Sequence, residues 1–344
     1  MTSMHWLGGA AILAGVLQAA PLPQWTAQSS GVTARLRGVS AVDDHVVWAS
    51  GASGTVLRTA DGGRSWESLA VPGASSRDFR DIDAVDARTA YVLSIGPGDQ
   101  SRIYKTSDAG GTWIEQFVNH EEQGFFDAMG FWDALSGVAF SDSIDGRFLV
   151  VRTIDGGRQW LRVPVENLPP ALPGEGAFAA SGTNVAVHGR DRVWIATGAA
   201  SLSRVLRSVD RGRTWGVSPT PLASGASSGI FSIAFRDAQH GIVVGGDYLK
   251  PDDTGENAAV TRDGGMTWEP VRGLSGFRSA VAYVPGRPSL VLAVGPSGTD
   301  LSMDDGRTWR GLAGPGFHAL SVSPSGAHAW GVGEDGRIGL LRLD

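Results

Sequence analysis

The chain has 344 residues, a formal net charge of −6, 19% charged residues, 49 glycines and no cysteine. The missing cysteine excludes disulfides, thiolate zinc sites, iron–sulfur clusters and a lipidated N-terminal cysteine, and the low, acidic charge disfavours a nucleic-acid groove. Short apolar runs such as VVWAS, AYVLS, VWIAT and LVLAVG replace long helical periodicity, which predicts an all-β fold.

Residues 1–20 hold an apolar run from Trp6 to Leu17, too short to span a bilayer but suited to a secretory signal, with small residues at Ala19 and Ala20. No Lys or Arg precedes the run, which departs from the usual leader. The expectation is a signal peptide or N-terminal leader over 1–20 and an exported protein, periplasmic or secreted. From residue 22 onward one grammar recurs: a leading strand, a second apolar strand, a variable loop, a third strand, an eight-residue box and a fourth strand. The leading strands are LRGVSAV from Leu36, FRDIDAV from Phe79, FDAMGF from Phe126, FAASGTN from Phe178, FSIAF from Phe231, FRSAVAY from Phe277 and FHALSVS from Phe317.

The boxes read TADGGRSW, TSDAGGTW, TIDGGRQW, SVDRGRTW, TRDGGMTW and SMDDGRTW, and they end at Trp66, Trp113, Trp160, Trp215, Trp268 and Trp309. Successive tryptophans lie 47, 47, 55, 53 and 41 residues apart, a period that suits one small sheet per repeat. In each box the aspartate (Asp61, Asp108, Asp155, Asp210, Asp263, Asp304) can accept hydrogen bonds from the N–H groups that follow. The glycine two residues on supplies φ > 0, and the Ser or Thr hydroxyl satisfies another turn group. The tryptophan is large enough to wedge between neighbouring sheets. These six aspartates therefore read as structural. The seventh unit ends after three strands without a box. PQWTAQ near the start supplies its fourth strand, with Trp25 in place of a box tryptophan, so residues 22–344 make a single seven-bladed β-propeller with no exposed sheet edge.

In these boxes the chain resembles the BNR or Asp-box superfamily, and within it the photosystem II stability and assembly factor family, whose members share the leader, an early QW with an LRGVS-like segment, and DGGxTW boxes. The resemblance spans residues 22–344. It implies a noncatalytic lumenal or periplasmic factor that binds assembly intermediates of membrane complexes, although similar propellers occur where no photosystem exists. Sialidases and xyloglucan hydrolases also carry Asp boxes, so a glycoside hydrolase or a carbohydrate-binding propeller is the alternative. Against the sialidase reading, the chain lacks an Arg-Ile-Pro segment, and Tyr91, Tyr104, Tyr248 and Tyr283 have no evident Glu partner.

The residue after each leading Leu or Phe should ring the channel mouth on the face opposite the boxes: Arg37, Arg80, Asp127, Ala179, Ser232, Arg278 and His318. Arg37, Arg80 and Arg278, with Asp127 and His318 beside them, make a candidate rim for a carboxylate, an acidic loop or a peptide terminus, because guanidinium groups make forked hydrogen bonds. The competing reading pairs Arg80 with Asp81 or Asp127. Loop candidates on the same face are Asp142 in SDSIDG and Tyr248, Asp252 and Asp253 in GGDYLKPDDTGENA, where a solvated hairpin is favoured over a calcium loop. GASSG around Ser227 lacks the strand and helix of a nucleophile elbow. The seven histidines show no metal spacing, and no phosphate-binding glycine loop precedes a helix, so neither metal nor cofactor is expected. Trp132 and Trp194, the free aromatic candidates for a saccharide, are expected in the core. The partner expected is a protein, such as a membrane-complex subunit or an acidic peptide segment, met by a monomer.

Overall fold

The computed structural model describes residues 22–343, which form seven four-stranded antiparallel sheets, each ordered inside to outside as the chain runs. The leader expected over 1–20 lies outside the described residues. In the seventh sheet the outermost strand is Trp25–Gln28, paired with Ile338–Arg342, so the N-terminal strand closes the ring as its sequence suggests. Blades one to seven begin their innermost strands at Leu36, Phe79, Phe126, Val185, Ser228, Ala280 and Ala319. The fourth of these departs from expectation, since FAASGTN is not a strand and pairing begins only at Val185.

The core is seven apolar seams, one between each pair of neighbouring blades. Across the closure, Leu36, Val47 and Leu57 pack with Trp330, Val332 and Leu340. Burying each such side chain contributes about 1.5–3 kcal/mol, and neither blade could bury that face alone. Every box tryptophan enters the seam shared with the preceding blade: Trp66 packs on the seventh blade's cluster, Trp113 on the first, and Trp215 and Trp268 on the third and fourth. Trp25 enters the seam between blades six and seven, where it meets Phe317 at 4.5 Å between ring centroids and donates its Nε1 to Thr299 Oγ1 at 3.0 Å. It thus holds a box tryptophan's place without a box.

The box turns carry one repeated set of bonds. The Thr59 hydroxyl donates to Asp61 Oδ1 at 2.8 Å and accepts from Gly63 N at 2.9 Å, while Asp61 accepts from Ser65 N and Ser65 Oγ at 3.0 and 2.6 Å. The same pattern recurs around Asp108, Asp210, Asp263 and Asp304. The bond from the Ser65 hydroxyl, with others from Ser65 N and Thr59, holds the Asp61 carboxyl well below the usual carboxylate range. The expected left-handed glycine is present, as at Gly63 (φ 83°) and Gly265 (φ 85°). The residue before it is left-handed too, and there the chain tolerates Ala109, Arg211 and Asp305 (φ 65°, 61° and 64°).

Innermost strands expose backbone N–H groups to the channel, and these must be satisfied. Side chains of the preceding blade accept them: Ser321 Oγ takes Ala41 N at 3.0 Å, Ser40 Oγ takes Ala84 N at 3.1 Å, and Ser232 Oγ takes Val281 N at 2.9 Å. Between blades two and three the acceptors are carboxylates, with Asp81 Oδ2 on Met129 N at 2.7 Å and Asp83 Oδ2 on Phe131 N at 2.8 Å. Burial raises Asp81 well above its ordinary value and Asp83 to about 6.

Candidate functional site: the channel mouth opposite the boxes

Leading strands start at the mouth opposite the boxes, so the residue after each leading Leu or Phe is carried there by register. A cavity of about 410 Å³ opens at this mouth. One side is cationic, with Arg37, Arg80 and His318, and the other is aromatic, with Phe178, Phe231, Phe277 and Tyr248. Phe178 stacks on Phe231 with centroids 4.0 Å apart, Phe277 meets Phe231 edge-on at 4.6 Å, and half-exposed Tyr248 sets its edge against Phe178 and Phe231 at 6.3 and 6.1 Å. Sequence reasoning singled out Tyr248 alone of these four. The signal for the others was present in the leading phenylalanines, which were read only as strand starts.

Arg80 pairs with neither Asp81 nor Asp127. Its Nε donates to Asp78 Oδ2 at 2.9 Å and its Nη1 to Ala179 O at 2.8 Å. Arg35 lies 3.7 Å from the same Asp78 oxygen. Arg37 Nη1 reaches Ala180 O at 3.5 Å, and its buried Nε has no hydrogen-bond partner among the described residues. Burial, with the neighbouring charges of Arg80 and Arg35, pulls Arg37 down to about 10. His318 Nε2 lies 2.7 Å from Glu334 Oε1, yet burial and the Arg37 charge push the imidazole down to about 4, so it is neutral at pH 7. Three guanidinium groups (Arg35, Arg37, Arg80) therefore face two carboxylates (Asp78, Glu334), which leaves the mouth short of negative charge.

Of the other rim positions Ala179 lines the cavity, while Arg278, Asp127 and Ser232 do not. Arg278 is fully buried, with its Nε on Asp300 Oδ2 at 2.7 Å and Nη1 on Phe277 O at 2.8 Å, because the chain turns its side chain inward toward blade six. The expected third arginine of the rim is thus a core ion pair. Asp127 is 1% exposed, and burial with the Asp142 charge raises it far above its usual range, while burial puts Asp142 at about 6. Ser232 is buried in the channel stitching, and Ala179 contributes only its carbonyl. Asp142 Oδ1 accepts Ala177 N at 2.9 Å, a structural bond. Asp252 and Asp253 are exposed on the fifth blade's loop, where Asp253 Oδ1 caps Gly255 N at 3.1 Å. No group of three or more His, Asp or Glu residues suited to a metal occurs among the described residues. Trp194 is buried against Phe235 with centroids 3.5 Å apart, and Trp132 donates to Arg192 O at 2.8 Å.

No protein-family model matches the chain, and no curated protein resembles it in sequence. Solved structures do. The chain is similar to YCF48 bound to D1 peptide, at 20% identity and a TM-score of 0.66 over 93% of this chain and 97% of that one. YCF48 from Cyanidioschyzon merolae aligns at 19% identity and a TM-score of 0.64 over 92% and 98%. The GH74 xyloglucanase from Xanthomonas campestris aligns at 19% identity and a TM-score of 0.63 over 92% of this chain but 53% of its own. At these identities the likeness establishes the propeller fold, which noncatalytic and hydrolytic proteins share.

Proposed function

We propose that this is a noncatalytic Asp-box propeller, exported under the direction of residues 1–20, that acts as an assembly or scaffold factor by capturing a peptide segment at the mouth opposite the boxes. The segment carries a carboxylate for Arg37 and Arg80 and an apolar side chain for the aromatic wall. The observation that carries this reading is two guanidinium groups, Arg37 with no ion-pair partner among the described residues and Arg80 sharing Asp78 with Arg35, set beside four clustered aromatic rings in one cavity. A carboxylate makes charge-assisted, forked bonds to such groups, and the rings supply apolar area at low entropic cost. The fold shared with YCF48 bound to D1 peptide supports a peptide partner. Glycoside hydrolysis needs two carboxyls about 5–9.5 Å apart flanking the substrate. Beside this mouth Asp127 is buried and Asp142 is tied to Ala177 N, an arrangement that favours binding over catalysis.

The test uses an alanine-rich decapeptide ending in phenylalanine, as the free acid and as the C-terminal amide. Fluorescence anisotropy should show the acid binding about tenfold tighter than the amide, a difference that vanishes in the Arg37→Ala, Arg80→Ala protein. Equal binding of acid and amide by the unaltered protein would sink the reading.

A further inference from the structure

Six innermost strands begin close to the positions their leading residues mark, and the fourth does not. Residues 176–184 run as irregular backbone ahead of the strand Val185–His188. They cross the channel mouth instead of following its wall, because their partners belong to four other blades. Ala179 O and Ala180 O accept from Arg80 and Arg37, of blades two and one. Ser181 Oγ donates to Ser279 O at 2.8 Å beside blade six, and the Thr183 hydroxyl meets Ser232 Oγ of blade five at 2.7 Å. Gly182, left-handed at φ 74°, rests against the Asp81 carboxyl of blade two, where a Cβ would overlap.

The base of this segment is firmly held. Glu175 is buried in an ion pair with Arg204, Ala177 N is tied to Asp142, and Gly176 bridges to Gly198. Its hold on the two arginines is poor by comparison. Arg80 divides its donors between the Asp78 carboxylate and the Ala179 carbonyl, whereas Arg37 has only the Ala180 carbonyl at 3.5 Å and its Nε is left over. A carboxylate brings opposite charge and two oxygens in a forked geometry that matches a guanidinium, which a single neutral carbonyl does not.

From this geometry we infer that residues 179–183 are a displaceable strap: their Ala179 and Ala180 carbonyls occupy the arginines in the free protein, and an incoming carboxylate takes those donors and lifts the strap between Phe178, which stays stacked on Phe231, and Asn184. The identity of the displacing ligand rests on the peptide reading above; the strap's own opening does not. Partner capture is then coupled to unplugging the channel mouth, and the strap sets a threshold that weakly acidic or neutral segments do not cross.

The chain has no cysteine, so a single introduced thiol reports on one place. Ser181 is 3% exposed, and a Ser181→Cys protein should be modified by a thiol reagent through local opening, at a rate insensitive to low denaturant. The decapeptide acid should accelerate that modification and its amide should not. Labelling that tracks global unfolding, or that the acid slows because the peptide sits on an intact strap, overturns the inference. A Thr183→Cys, Ser232→Cys protein provides a lock, since the hydroxyls it replaces are in contact. Its oxidised form should bind the acid about tenfold more weakly than its reduced form at an unchanged fold by circular dichroism, whereas equal binding speaks against displacement. Local opening with no peptide binding in any form overturns the peptide reading and the displacement, while the strap's mobility stands.

Discussion

On the box face six turns repeat one backbone bond, to Asp61, Asp108, Asp155, Asp210, Asp263 and Asp304, whereas at the opposite mouth equivalent positions take different roles from blade to blade. Arg37 and Arg80 face a cavity, Asp127 and Arg278 are buried with acidic partners, and the fourth blade sends a strap across the opening. The box bonds are local, made within five residues, so each box is competent wherever the chain places it. The mouth is built from residues as far apart in sequence as Arg37 and His318, and their roles depend on what the other blades leave unpaired. Regularity on one face supplies the rigid ring, and irregularity on the other supplies the specificity.

The sharpest break between the two kinds of mouth arginine is Asp300→Ala. It leaves the fully buried Arg278 without its carboxylate and should cost about 3–5 kcal/mol in urea unfolding. A loss below about 1 kcal/mol would mean that Arg278 reaches solvent after all.

The channel carboxyls give the next effect. Asp83 and Asp142 titrate near 6 against an ordinary 3.8, and burial raises Asp81 and Asp127 well above it too. Between about pH 4 and 6 the folded protein therefore holds more protons than the unfolded chain, so stability rises as pH falls through that window. His318, neutral down to about 4, opposes this between 6.5 and 4, and the carboxyls held below their ordinary value, such as Asp61 and Asp263, oppose it only as the pH approaches 4. The melting midpoint at pH 5 should exceed that at pH 7.5 by about 2 °C or more, and Asp83→Asn should flatten the difference. A lower midpoint at pH 5 would contradict it.

Within the box turn, Gly265→Ala should cost about 1–2 kcal/mol, since φ is 85° and the new Cβ would press on Trp194. Ala109→Gly, at the other left-handed position, should change stability by less than about 0.5 kcal/mol. Comparable costs would show that both positions need glycine. Smallest of all on stability, the Arg37→Ala, Arg80→Ala protein should melt within about 1 °C of the parent while losing the acid-peptide preference, because neither arginine is fully buried. A large drop in melting temperature would make them structural.

Fold and site were legible to different depths. The repeated box, its tryptophan and the PQWTAQ strand were enough to predict seven blades and their closure, and Trp25 does pack where a box tryptophan would. The rim was half legible. Register correctly brought Arg37, Arg80 and His318 to one mouth, but register cannot say which way a side chain turns. Arg278 found Asp300 on its own blade, 22 residues on, and was withdrawn into the core. FAASGTN looked like a strand because its leading Phe matches the other units. Its small residues and Gly182 in fact let backbone cross the channel, where Phe178 could stack on Phe231.

What the sequence by itself determined is whatever rests on bonds within a few residues: the turns, the blade count and the strand that closes the ring. Only the tertiary structure decided which charges stay free, which are neutralised by burial and partners, and that one segment guards the mouth. Those outcomes depend on distances between blades, and a repeat pattern repeated every forty to fifty residues carries no record of them.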